Sequence, residues 1–223
     1  MTPPTIVPFG DAAALITFPG EATIETAARS QALARRIRAA TRGRSGWGAA
    51  VPAAASVLVH VNPIDPGVPD VLRALGDIAA MLEPGDDVWP DVGPPVEIPV
   101  RYGGEDGPDL PDVAARMGLS PSDVIERHAS ATYRVLFLGF APGFGYLGPL
   151  APSLVLPRRA TPRVRVPAGS VAIGGTYTAV YPGESPGGWH VLGRSSAPIW
   201  DPRRDSPAML QPGGIVRFVP EAK

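Results

Sequence analysis

With 223 residues, 44% of them hydrophobic and a formal net charge of −1, the chain can bury one large core or two small ones; this excludes disorder and leaves no basic face for nucleic acid. It has no cysteine, and no lysine before Lys223, which excludes thiolate nucleophiles, disulfides, cysteine-bound zinc, a P-loop lysine, a Schiff base and a covalently bound biotin on this chain. The most apolar stretch, residues 49–61, is too short for a bilayer span, and Met1 to Gly10 lacks the plan of a signal peptide, so a soluble cytoplasmic protein with no membrane contact is expected.

Residues 12–18 read as a strand ended by Pro19-Gly20. Residues 23–40 carry Ile24, Ala27, Ala28, Ala34 and Ile37 at helical spacing, with Gly43 as the stop. The β-branched run 56–61 predicts a second strand, closed by Asn62-Pro63. A second helix has Val68, Val71, Leu72, Leu75, Ile78, Ala79 and Leu82 on one stripe, with Pro69 near its start and Gly85 beyond its end. Strand, helix, strand and helix with short connections predict a small N-terminal α/β sandwich over residues 1–92, and the proline-rich stretch 89–95 reads as the linker.

Residues 96–102 predict a further strand. Two short helices follow, one from near Pro111 to Gly118 and one opening on the capping box Ser120-Pro121-Ser122-Asp123. Beyond them, brief apolar runs at 134–140, 163–166, 170–173, 176–181, 189–192 and 215–219 alternate with Gly and Pro. That texture predicts a closed or nearly closed β-barrel over residues 93–223. The expected fold class is therefore α+β, a small sandwich followed by a barrel.

The barrel half carries the chemistry. Residues 139–148 set Phe140, Phe144 and Tyr146 among four glycines, with Pro142 and Gly143 stiffening and bending the loop. Such a loop is either a pocket wall or a barrel corner whose rings fill the core. Arg158, Arg159, Arg163 and Arg165 fall within eight residues. On a strand, Arg163 and Arg165 share one face while Val164 and Val166 face the core. Two adjacent guanidiniums call for an anion between them, a carboxylate or phosphate; the alternative is a solvated face paired with surface carboxylates. Pro186-Gly187-Gly188 reads as a turn before Trp189, a core or lid ring, with Arg194 at the end of that strand as a further anion contact. His60, His128 and His190 have no metal-ligand spacing, so no metal site is expected. His128 follows the stripe of Val124 and Ile125, as a hydrogen-bonded structural histidine or a base. Candidate catalytic residues are thus Arg163, Arg165 and His128. Candidate substrate-binding residues are Phe140, Pro142, Gly143, Phe144, Tyr146, Arg158, Gly188, Trp189 and Arg194.

Five segments carry a resemblance: His128-Ala-Ser-Ala-Thr-Tyr133, Gly139-Phe-Ala-Pro-Gly-Phe-Gly-Tyr-Leu-Gly148, Pro157-Arg-Arg-Ala-Thr-Pro-Arg163, Val166-Pro-Ala-Gly-Ser-Val171 and Pro186-Gly-Gly-Trp-His-Val-Leu-Gly-Arg194. With Gly10-Asp11-Ala12-Ala13 and Ile98-Pro99-Val100-Arg101-Tyr102-Gly103-Gly104, their order and spacing resemble the KipI family, also known as the B-type subunit of 5-oxoprolinase or as allophanate hydrolase subunit 1. One local departure is Ala54-Ala55-Ser56-Val57-Leu58, where that family commonly has a Tyr-x-Ser-Leu signature. The resemblance implies a cyclophilin-like barrel and a subunit of an ATP-dependent 5-oxoprolinase. In it the chain opens 5-oxoproline to glutamate with a KipA-like partner (the C-type subunit of 5-oxoprolinase) and a lactam-utilisation subunit. ATP with Mg²⁺ then acts at the level of the complex, and the chain is expected to be inactive alone. Two other readings stay open, an allophanate hydrolase or urea carboxylase-type carboxyltransferase subunit and a non-enzymatic inhibitor of a histidine kinase.

Overall fold

The computed structural model describes residues 2–62, 64, 70–89 and 93–221. The expectations placed on Met1, Pro63, Val68, Pro69, the linker positions 90–92 with the boundary at residue 92, and Lys223 lie outside them. The chain divides into two compact units, Met1–Pro90 and Asp91–Lys223.

In the first unit, strands β1 (Thr5–Pro8), β2 (Ala13–Thr17), β3 (Trp47–Pro52) and β4 (Ser56–Val61) form an antiparallel sheet in the order β1-β2-β4-β3. Helices α1 (Ile24–Thr41) and α2 (Val71–Ala80) pack on one face. Helix α1 begins where Thr23 Oγ1 accepts from the Thr26 backbone N–H while Thr26 Oγ1 accepts from the Thr23 N–H, so two orphan donors are satisfied at once. Its alanines let Leu33 and Ile37 approach Ile16, Phe18, Val57 and Val59 closely, and burying each aliphatic side chain contributes about 1.5–3 kcal/mol. The two outer strands, β1 and β3, are additions to the elements expected from the sequence. They are edge strands ending in Pro8 and Pro52, where a missing N–H costs no ladder bond, and Gly48-Ala49 gives β3 little periodic signal. Across the other face of the sheet, Val7, Leu15, Leu58 and Val51 lie in register, with Val7 and Val51 exposed.

In the second unit, seven strands among the described residues close a barrel. They are β5 (Val96–Tyr102), β6 (Tyr133–Leu138), β7 (Gly145–Gly148), β9 (Ser170–Gly174), β10 (Tyr177–Val180), β12 (His190–Arg194) and β13 (Ile215–Pro220), in the order β10-β7-β6-β13-β5-β12-β9. All pairs are antiparallel except β13 with β5, which brings the last strand beside the first to complete the barrel. Helices α3 (Leu110–Met117) and α4 (Pro121–Ser130) cover the core with Val113, Ala114 and Val124. The expected capping box starts α4, with Ser120 Oγ accepting from the Asp123 N–H and Asp123 Oδ2 accepting from the Ser120 N–H. The expected α+β order, a small sandwich followed by a closed barrel, is the observed one.

Strands β8 (Arg163–Val166) and β11 (Ser185–Gly187) form a separate ribbon outside the barrel sheet. Here the structure corrects one expectation. Val166 is fully buried, but Val164 is 89% exposed and does not face a core. The ribbon's register shifts between Ser185 and Gly187, so strict alternation is lost along β8.

Candidate functional site

The loop joining β6 to β7 folds tightly on itself: the Ala141 N–H donates to Gly139 O, the Phe144 N–H to Ala141 O and the Gly139 N–H to Phe144 O. This knot holds Phe140 in the left-handed region at φ 68°, a conformation that costs a non-glycine residue about 1–3 kcal/mol. Its ring is 61% exposed and stands edge-on to Phe144 and Tyr181. Phe144, by contrast, is buried, with the rings of Tyr146, Tyr181 and Trp189 at 5.1, 5.2 and 5.6 Å in edge-to-face geometry. Trp189 lies flat on β9 because Gly174 has no side chain; a Cβ there would sit 2.7 Å from the indole.

These rings wall a cavity of about 70 Å³, lined by Phe140, Phe144, Tyr146, Tyr181 and Trp189, the backbone of Gly187 and Gly188, and Arg158. The Arg158 guanidinium stands 5.8 Å from the Trp189 ring centre and forms no ion pair among the described residues. Burial raises the pKa of the Tyr146 phenol while the nearby Arg158 charge lowers it, and the net shift is upward. Burial likewise raises that of Tyr181, against the Trp189 backbone and the Arg158 and Arg163 charges. Both phenols therefore keep their protons at neutral pH and can donate hydrogen bonds.

A strap running from Pro157 to β8 places Arg158. His190 Nε2–H donates to Pro157 O at 3.0 Å, and the Arg159 N–H donates to Gly188 O at 2.8 Å. The neighbouring guanidiniums converge on one carboxylate, Asp109, which is 4% exposed at the start of α3. Arg163 grips it with both terminal nitrogens, at 2.8 and 2.6 Å, Arg159 Nη1 donates at 3.0 Å, and the Val191 backbone N–H at 2.7 Å. Burial pushes the Asp109 carboxyl up, but the bonds from Arg163 and Val191 and the charges of Arg163 and Arg159 outweigh it and hold the carboxyl below the usual range. Nothing local in Gly107-Pro108-Asp109-Leu110 signals this role, because its partners lie 50 to 82 residues downstream.

The structure thus brings six of the sequence candidates together, Phe140, Phe144, Tyr146, Arg158, Gly188 and Trp189, and adds Tyr181. Gly143 packs on Trp200 and Pro142 points outward beside it, so both shape the loop without lining the cavity. Arg163 meets an anion, as its charge requires, but the anion is Asp109. Arg165 is mostly exposed and pairs with Glu184, so the two arginines of β8 serve different partners. Arg194 belongs to another cluster, where Asp106 receives Arg101 at 2.9 Å and lies 3.5 Å from Arg194.

His128 is wholly buried and stacked on Phe218 at 4.6 Å. The Thr178 hydroxyl donates to Ala172 O, so it accepts from His128 Nε2–H; Nδ1 then accepts from the Tyr102 hydroxyl at 2.7 Å. Burial lowers its pKa to about 3. It stands as a neutral core histidine outside the cavity lining. Among the described residues no group of three or more His, Asp or Glu is placed to hold a metal ion, and no helix is long and apolar enough to cross a membrane.

Known proteins share this architecture. The chain is 58% identical over 126 residues to the B subunit of 5-oxoprolinase from Escherichia coli O157:H7, covering 56% of this chain and 58% of that one. It is 42% identical over 158 residues to the B subunit of 5-oxoprolinase from Bacillus subtilis, covering 71% and 63% respectively. These matches span about three-fifths of the relatives' lengths. The crystal structure of TTHA0988 superposes with a TM-score of 0.78 at 39% identity, over 95% of this chain and 40% of that one. Kluyveromyces lactis urea carboxylase shares the fold, with a TM-score of 0.76 at 21% identity over 99% of this chain and 22% of that one. With its residues 4–210 matched by the family model described as carboxyltransferase domain, subdomain C and D, the chain belongs to that family.

Proposed function

We propose that the chain is the B-type subunit of an ATP-dependent 5-oxoprolinase, acting with a KipA-like C-type subunit and a lactam-utilisation subunit to open 5-oxoproline to glutamate. The observation that carries this reading is Arg158, a cation with no carboxylate partner among the described residues, lining a small aromatic cavity in a chain whose relatives are named as the B subunit of 5-oxoprolinase. A lactam carbonyl is a poor electrophile, and ATP supplies the activation that water alone lacks. The residues on this chain bind and orient: a guanidinium, neutral phenols and aromatic walls hold a small ring and exclude water. The aromatic cavity, at about 70 Å³, is too small for a nucleotide, which on this reading takes another site.

The identity of 58% over 126 residues to a chain named as a 5-oxoprolinase B subunit favours lactam opening. A second reading, a regulator that binds a kinase, draws on the apolar row of Val7, Leu15, Leu58 and Val51 on the N-terminal sheet, a surface suited to a protein partner. The test is co-expression with the two partner subunits and an assay of glutamate formed from 5-oxoproline and ATP. Glutamate production that requires this chain supports the proposal. Partner subunits that work equally well without it refute the enzymatic reading.

A further inference from the structure

We infer that Arg158 is the carboxylate-reading residue of a recognition site for a small carboxylated ring, with Tyr146 and Trp189 as its walls and Phe140 as its outer rim. The identity of the ligand rests on the proposed function; the chemistry of the site rests on the cavity itself. Four arginines crowd residues 158–165, and three have carboxylates: Arg159 and Arg163 share Asp109, and Arg165 takes Glu184. Arg158 instead stands over the Trp189 ring, 5.8 Å from its centre, with no carboxylate partner among the described residues. A guanidinium fork accepts a carboxylate through two parallel bonds.

The space beside it restricts what that carboxylate can be attached to. A volume of about 70 Å³ between aromatic walls admits a small ring or a few methylenes, not a peptide or a nucleotide. Beside Arg158 and the Gly187-Gly188 backbone the walls are aromatic, and their phenols can donate to a ring carbonyl without adding charge. Phe140 supports the assignment independently. It is a bulky residue held in the left-handed region, at the cavity mouth, with most of its ring in water. Strain of that kind persists only where surrounding structure enforces it, and here the 139–144 knot does so.

The experiment measures binding to the full chain, alone and in the assembled complex, with three probes: 5-oxoproline, 2-pyrrolidinone, which lacks the carboxylate, and cyclopentanecarboxylate, which lacks the lactam. Wild-type chain is expected to prefer 5-oxoproline over 2-pyrrolidinone by roughly 10- to 100-fold, the difference one charge-assisted bond makes. Arg158→Gln should erase that preference while leaving the melting temperature unchanged, since Arg158 is an exposed side chain. Arg165→Gln should keep it. Cyclopentanecarboxylate should bind wild type better than Arg158→Gln.

Equal affinity of wild type for 5-oxoproline and 2-pyrrolidinone, equal affinity of wild type and Arg158→Gln for 5-oxoproline, or no binding by either chain or complex would each overturn the inference. The outcome is separable from the enzymatic reading. An assembled complex that forms glutamate as well with Arg158→Gln as with wild type removes the site and leaves the function standing. A complex that forms none, from a chain that still discriminates by carboxylate, removes the function and leaves the site.

Discussion

Asp109 and His128 are buried polar side chains of opposite design. Asp109 is an ionised acid met by two guanidiniums and an amide, and each donor offsets part of the cost of removing its charge from water. Asp109→Ala strands two arginines whose side chains keep 31% and 27% of their surface, so the loss should fall near roughly 2–3 kcal/mol, below the penalty for a fully buried pair. Urea melts of the variant check this; Arg165→Ala, on the exposed pair, should cost less than about 1 kcal/mol. His128 is neutral instead. In the unfolded chain a histidine protonates near its ordinary 6.5, but in the fold His128 does so only near about 3. Between those values the unfolded state binds more protons, so stability falls as pH falls, by up to about 1.4 kcal/mol per unit from this group. Asp109 is held low and contributes its share at still lower pH. Denaturation at pH 7 and pH 5 should therefore show a slope that His128→Gln flattens. Identical slopes for the two proteins would contradict the buried neutral ring.

At the scale of elements, two irregular segments make the site and regular ones hold them in place. The 157–163 strap is tied at three points: Pro157 to His190, Arg159 to Gly188, and the Arg159 and Arg163 side chains to Asp109. It lies outside the barrel ladder, and these bonds act together with the pairing of Arg163 with Gly187 at its end. The 139–144 knot is the other segment, with its strain concentrated at Phe140. Phe140→Gly relieves the left-handed penalty but removes the rim ring and adds backbone freedom to the unfolded chain. These changes oppose one another, so stability should move by less than about 1 kcal/mol while affinity for 5-oxoproline drops severalfold. Thermal melts and titrations on one preparation test both halves. A stability loss of several kcal/mol would show that the ring is a core anchor rather than a rim.

At the scale of the molecule, the described residues form three hydrophobic clusters: one under the N-terminal sheet, one inside the barrel, and one around Phe144, Tyr181 and Trp189. The barrel offers a binding cavity without a nucleophile, and the chain matches only 40% of the length of TTHA0988. The isolated chain is therefore expected to turn over neither ATP nor 5-oxoproline. It should co-elute with a KipA-like partner through an interface of more than roughly 1,000 Å². Size-exclusion chromatography after co-expression and an ATPase assay of the purified chain check both statements. Separate elution or nucleotide turnover by the chain alone would contradict them.

Local chemistry makes much of this molecule legible in its sequence. Helical spacing in 23–40, the Ser120–Asp123 cap and the Gly- and Pro-punctuated runs beyond residue 134 reveal sandwich and barrel, because periodicity and turn residues act within a few positions. The glycine-rich loop, Arg158 and Trp189 are readable as candidate binding groups by residue type, and the structure places them around one cavity. Three features are not legible in this way. Edge strands β1 and β3 are half-solvated and end in proline, so they carry little alternation. The burial of His128 depends on Tyr102, Thr178 and Phe218, which only barrel closure brings around it. The sorting of the four arginines depends on Asp109, 50 and 54 residues before Arg159 and Arg163, and on Glu184, which takes Arg165; Arg158 has no carboxylate partner among the described residues. A strand's own pattern says which side chains share a face; which partner each one meets is a long-range choice, and only the tertiary fold makes it.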